Sequence, residues 1–91
     1  MVIEMLRSGR KTTTYYTYYN QGPCDCKLYY VDAVECKGVI ELWLYDDDHG
    51  IKMFCFGLPG SGLYSVEDAL GMLENQLSEY IEEYQKEYVK A

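Results

Sequence analysis

The feature that most limits what this chain can fold into is an imbalance of periods. Residues 12 to 57 fall into short runs of Tyr, Thr, Val, Ile, Leu and Phe broken by turn residues, the pattern of β-strands. Only residues 65 to 89 carry a stripe of helical period. There Val66, Leu70, Leu73, Leu77, Tyr80, Tyr84 and Tyr88 recur at steps of four and three, with Ala69 and Ile81 beside them. A sheet must bury at least one face, and this chain offers one helix to cover it.

The elements follow from local signals. Thr12 to Tyr19 reads as a strand, and Asn20-Gln21-Gly22-Pro23 as a turn. Lys27 to Glu35, Val39 to Tyr45 and Ile51 to Phe56 read as three more strands. Cys36-Lys37-Gly38 and Asp46-Asp47-Asp48-His49-Gly50 turn the chain between them, with Gly38 free to take positive φ. Ser65 is a natural N-cap, and Glu67 and Asp68 sit where a helix dipole favours acids. The expected fold is α+β: an antiparallel meander of about four strands over 12–57, packed on one long C-terminal amphipathic helix over 65–89. Residues 1–91 make a single domain, with 1–11 an N-terminal segment that reads either as a short strand or as a helical turn. A helix of about 25 residues spans roughly 37 Å, and a seven-residue strand about 23 Å. Tyr84 and Tyr88 are therefore expected to overhang the sheet or to meet something else.

Register decides what each face holds. With Cys36-Lys37 as a two-residue turn, Ala33 faces Ile40, Val31 faces Leu42 and Tyr29 faces Leu44. An odd-length loop then sets Leu42 opposite Phe54 and Ile40 opposite Phe56. One face becomes almost wholly apolar and takes the helix. The other reads Leu28, Tyr30, Asp32, Val34, Val39, Glu41, Trp43, Tyr45, Ile51, Met53 and Cys55. That is too apolar for an ordinary solvent face, yet it sets Asp32 against Glu41, which a dry core would resist. Trp and Tyr around acids are the composition of a binding surface. The competing expectation is that residues 1–11 fold back over it.

The net charge is −7, with seven acids and two lysines from Ser65 to the C-terminus. Direct binding to a nucleic-acid backbone needs clustered Lys and Arg and is not expected. A protein partner with a basic surface is favoured instead. The longest apolar run is too short to span a membrane. The first residues, Met1 to Arg7, carry Glu4 and no basic leader, so they do not read as a signal peptide and a cytoplasmic location is expected. The four cysteines then read as thiols.

Catalytic and metal motifs are weak. Cys24-x-Cys26 with Cys36 and either Cys55 or His49 is a zinc set on paper, but it lacks knuckle spacing. Asp46 to His49 lacks the spacing and closing Glu of an EF-hand and reads as a solvated hairpin tip. Gly57 to Gly62 lacks the Lys and Ser/Thr of a phosphate loop. His49 is the single histidine, and no motif sets a nucleophile beside it. No enzyme activity, cofactor or metal is expected.

The expected function is that of a small acidic binding protein, an inhibitor that occupies the surface of a nucleic-acid-handling protein. Its partner-binding residues are Tyr30, Asp32, Glu41, Trp43, Tyr45, Asp46, Asp47, Asp48, Glu79, Glu82 and Glu83, the acids standing in for phosphates. In general character the chain is similar to phage-encoded anti-defence proteins, anti-CRISPR proteins among them. The alternatives are a homodimeric interaction domain and a zinc-stabilised module.

Overall fold

A computed structural model describes residues 3–23, 25–60 and 62–89. Five strands form one antiparallel sheet in chain order: β1 (Glu4–Ser8), β2 (Thr12–Gly22), β3 (Asp25–Cys36), β4 (Val39–Asp46) and β5 (Met53–Pro59). Two helices follow, α1 (Val66–Asn75) and α2 (Leu77–Tyr84), then a π-helical turn over Gln85–Val89. The expected α+β class and antiparallel sheet hold. The expected count of about four strands does not, because the N-terminal segment contributes β1.

The single long helix is also corrected. Gln76 leaves helical geometry at φ −122° and ψ 15°. The buried residues show why. Ala69, Leu73, Leu77 and Ile81 are spaced by four, and each such step rotates the contact by about 40° on an ideal helix. An unbroken helix would swing the later residues off the sheet. The break at Gln76 resets the phase, so Leu73 and Leu77 are both fully buried. Ser65 caps α1 as expected: its Oγ accepts from Asp68 N at 3.2 Å, and the Asp68 carboxylate accepts from Ser65 N at 2.9 Å.

The helical segment does not overhang. β3 has 12 residues and β2 has 11, longer than the sequence suggests, and at ~3.3 Å per residue β3 alone runs about 40 Å. Tyr84 is therefore fully buried, and Tyr88 packs against the core rather than beyond it. That core lies between the helices and one sheet face: Tyr29, Val31, Ala33, Ile40, Leu42, Leu44 and Met53 meet Ala69, Leu73, Leu77, Ile81 and Tyr84.

The β3–β4 hairpin turns one residue later than expected. Lys37 and Gly38 both have positive φ, +52° and +75°, the requirement of a type I′ turn whose twist suits a tight hairpin. Ala33 therefore pairs with Leu42, Val31 with Leu44, and Asp32 with Trp43. The slide of two residues keeps every side chain on its expected face but changes its partner. Asp32 no longer opposes Glu41, which pairs with Val34.

On β5 the expected faces are partly exchanged. Leu42 pairs with Phe56, but Trp43 pairs with Phe54, so Cys55 is the extra residue of a bulge. The bulge turns Met53 into the core and leaves Phe54 48% exposed on the far face. Cys55 also turns to the helices: its thiol is pushed up to about 12 by burial first and then by the nearby Glu83 carboxylate.

Candidate functional site: the sheet face without a helix

β1 settles the fate of the second face. It pairs antiparallel with β2 at the sheet edge, Met5 against Tyr15 and Arg7 against Thr14. Residues 4–8 therefore extend the sheet and do not fold back across it, while residues 1 and 2 lie outside the described residues. Strand alternation places Thr14, Tyr16 and Tyr18 of β2, Tyr30, Asp32 and Val34 of β3, Glu41, Trp43 and Tyr45 of β4, and Phe54 of β5 on the side away from the helices.

The aromatic rings on this face organise one another. Tyr30 and Tyr45 stack with centroids 5.3 Å apart, and Trp43 meets Phe54 edge-on at 5.2 Å. Tyr16 and Tyr18 make a T-shaped pair at 6.1 Å. Such pairs hold rings in fixed positions while leaving much of their surface available. Tyr18 is 57% exposed.

Asp32 lies at the centre and is only 4% exposed. Its Oδ1 accepts from Thr14 Oγ1 at 2.8 Å and from the Tyr45 hydroxyl at 2.9 Å. Its Oδ2 holds Lys52 Nζ at 2.7 Å, and that ammonium also lies 4.9 Å from the centre of the Tyr45 ring. Burial alone would raise the Asp32 pKa. The hydrogen bonds from Lys52, Thr14 and Tyr45 and the Lys52 charge outweigh it, so the carboxyl ionises below its ordinary value. The same contact, after burial, pushes the Tyr45 hydroxyl up to about 12. An open cavity of about 230 Å³ beside the pair is lined by Asp32, Val34, Trp43 and Lys52.

At one end of the face the Tyr30 hydroxyl reaches Asp47 Oδ1 at 3.4 Å. On the edge the Tyr16 hydroxyl reaches Glu4 Oε2 at 3.3 Å. Trp43 Nε1 points to Glu41 Oε1 at 3.4 Å. Acids thus rim an aromatic centre. Glu4 and Tyr16 escaped the sequence reading because the strand pairing that joins them, β1 to β2, was not assigned there. Lys52 escaped it because the expected strand Ile51 to Phe56 gave it the parity of Phe54 and Phe56, on the helix side, whereas β5 begins only at Met53.

The structure divides the expected site residues. Tyr30, Asp32, Glu41, Trp43, Tyr45 and Asp47 gather on this face. Asp48 does not, since it pairs with Lys27 at 2.6 Å, and Lys27 shares its strand side with the helix-facing Tyr29. Glu79, Glu82 and Glu83 belong to α2, in the layer on the opposite side of the sheet. One flat partner surface cannot touch both sets.

Asp46 corrects the reading of a solvated hairpin tip. It is 2% exposed and points to the helix side. Its carboxylate receives His49 N at 2.8 Å, His49 Nδ1 at 2.7 Å and the Tyr84 hydroxyl at 3.2 Å. Burial would raise its pKa, but the His49 contacts and Lys27 hold it below the ordinary value. Asp46, Asp48 and His49 are close enough to share a cation. Lys27 Nζ, 2.6 Å from Asp48 and 3.4 Å from Asp46, already places a positive charge there. The zinc set fares worse. Cys26 and Cys36 stand near opposite ends of β3, ten residues or about 33 Å apart, so one ion cannot join them. Cys24 lies outside the described residues.

Comparisons with protein-family models, with curated proteins and with solved structures return no significant match. Among the described residues, no helix is long and apolar enough to cross a membrane.

Proposed function

We propose that this chain is a small, non-enzymatic binding domain that acts by occupying a basic surface of a protein partner through its uncovered sheet face. One observation carries the reading: among the described residues the helices cover one side of the sheet, and the other side presents ordered aromatic rings around a buried carboxylate paired with a half-exposed lysine. Trp43, Tyr30, Tyr45, Phe54 and Tyr18 supply the anchor surface, the residue types that dominate interface energies. Glu4, Glu41 and Asp47 supply the acidic rim. With a net charge of −7, association with a basic partner is accelerated and wrong partners are repelled. Within that class, the reading extends to an inhibitor of a nucleic-acid-handling protein, similar in character to phage anti-defence and anti-CRISPR proteins, with the rim competing for Lys and Arg that otherwise meet phosphates.

The test is capture from a host lysate on immobilised wild-type chain and on Trp43→Ala in parallel. A partner retained by the wild type, lost by the folded variant, released by raised salt and displaced by nucleic acid supports the reading. Equal retention by both chains sinks it, and retention that nucleic acid cannot disturb removes the inhibitory part. Face-to-face pairing of two copies is the second reading, favoured by the exposure of Phe54 and Tyr18 and opposed by the like charge of the copies. Light scattering at two concentrations separates it from a monomeric binder.

A further inference from the structure

We propose that Asp32 is a receptor for an arginine side chain of the partner, and that Lys52 is an internal stand-in for that arginine. The inference deepens the docking reading and rests on it for the source of the arginine.

The acceptor count supports a vacancy. An ionised carboxylate offers about four lone-pair sites. Among the described residues three of these are filled, by Thr14 and Tyr45 on Oδ1 and Lys52 on Oδ2. The two hydroxyls come from neighbouring strands and are part of the fold. The ammonium is not. Lys52 precedes β5, and its side chain is 51% exposed while that of Asp32 is 5% exposed. A carboxylate is thus fixed at the sheet centre by permanent donors on one oxygen. Its other oxygen is served by a half-exposed ammonium that reaches it from the solvent side.

The shape beside it selects the occupant. The cavity is lined by Trp43, Val34, Asp32 and Lys52. A planar, weakly hydrated guanidinium can lie against an indole and still donate to a carboxylate, whereas a compact ammonium is held more strongly by water. Lys52 already demonstrates the mode, with its ammonium on Asp32 and against the Tyr45 ring. The local charge is suited as well: Glu4, Asp32, Glu41 and Asp47 on or around the face outnumber Arg7 and Lys52. An arginine entering the cavity displaces Lys52 into solvent and takes the Oδ2 position. Lys52 then acts as a gate that keeps the buried carboxylate neutralised until an arginine arrives.

The experiment uses the full chain and N-acetyl-arginine amide as probe, at constant ionic strength, read by the emission of Trp43, the only tryptophan. Lys52→Gln, an exposed loop substitution, removes the stand-in. The expected result is saturable binding that is about tenfold or more tighter in Lys52→Gln than in wild type, the scale of one charge-assisted hydrogen bond. The neutral isostere N-acetyl-citrulline amide should not bind. Folded Lys52→Gln that shows no saturable response overturns the proposal, as does equal binding of the citrulline derivative. Partner capture that depends on Trp43 together with no arginine binding leaves docking intact and removes only this receptor. Arginine binding with no Trp43-dependent partner does the reverse.

Discussion

Tyr84 and Asp46 are 38 residues apart in the chain and meet at 3.2 Å, phenol against carboxylate. The Tyr84 hydroxyl has one proton to share between that oxygen and the Ile51 carbonyl at 2.7 Å. The contact ties the end of α2 to the β4–β5 loop. Tyr84→Phe should cost about 1 kcal/mol, the net worth of an ordinary hydrogen bond. Asp46→Ala should cost more, about 2–4 kcal/mol, because His49 N and Nδ1 lose their acceptor and Tyr84 and Lys27 each lose one of two. Urea denaturation measures both. Near-zero losses in each would show that the loop is held by packing alone.

Leu42 and Trp43 are neighbours on opposite faces. Leu42 is fully buried beneath the helices, and Leu42→Ala should cost about 2–5 kcal/mol. Trp43→Ala loses chiefly its edge-on contact with Phe54, worth about 0.5–1.5 kcal/mol beyond burial. Stability should fall much less in the second variant, while partner binding falls more. Equal destabilisation would mean that Trp43 behaves as core.

Acid should unfold this protein through its two buried carboxylates. Asp32 and Asp46 both ionise more readily in the folded chain than at the unfolded value of about 3.9. Their contribution is complete well above that value and is lost as pH falls through it and then through the folded value. Urea midpoints should be nearly flat from about pH 7 to 5 and drop steeply below about 4. A midpoint that holds steady to about pH 2 would rule this out.

Tyr45 works at the opposite end of the scale. Its pKa is raised to about 12 from an unfolded value of about 10. The stabilisation it contributes is whole below about pH 10 and disappears as pH climbs through the folded value. A phenolate absorbance titration should show it lagging behind exposed tyrosines, and Tyr45→Phe should remove that late phase. Persistence of the phase in the variant would assign it elsewhere.

Lys37 holds a left-handed conformation that costs a side-chain residue about 1–2 kcal/mol. Lys37→Asn makes the turn Asn-Gly, the pair best suited to type I′ geometry. It should raise stability by about 0.5–1 kcal/mol in thermal or urea melts. No gain would indicate that the flanking strands, rather than the turn residues, dictate the hairpin.

Much of the fold was legible from local signals. Period-two runs marked β2 to β5, and Ser65 with Asp68 marked the start of α1. The face assignment of β3 survived a misplaced turn because a slip of two residues preserves alternation. The uncovered face was legible for the same reason: Tyr30, Asp32, Glu41, Trp43 and Tyr45 share one parity. The bulge at Cys55 was not legible, since an extra residue leaves no mark in composition, and it reversed Met53 and Phe54.

Taken alone, the amino-acid order determined that there would be a meander, one helical layer and two apolar sheet faces, because alternation and helical period are properties of neighbouring residues. Tertiary structure decided which acids would be buried and which segment would become an edge strand. Asp46 turned inward because a tyrosine 38 residues away and a lysine on the preceding strand supplied its partners. Asp32 became the charged centre of the face because Thr14, Tyr45 and Lys52 converge on it from three separate segments. Contacts between distant segments stabilise a buried charge, and such contacts exist only once the sheet has formed.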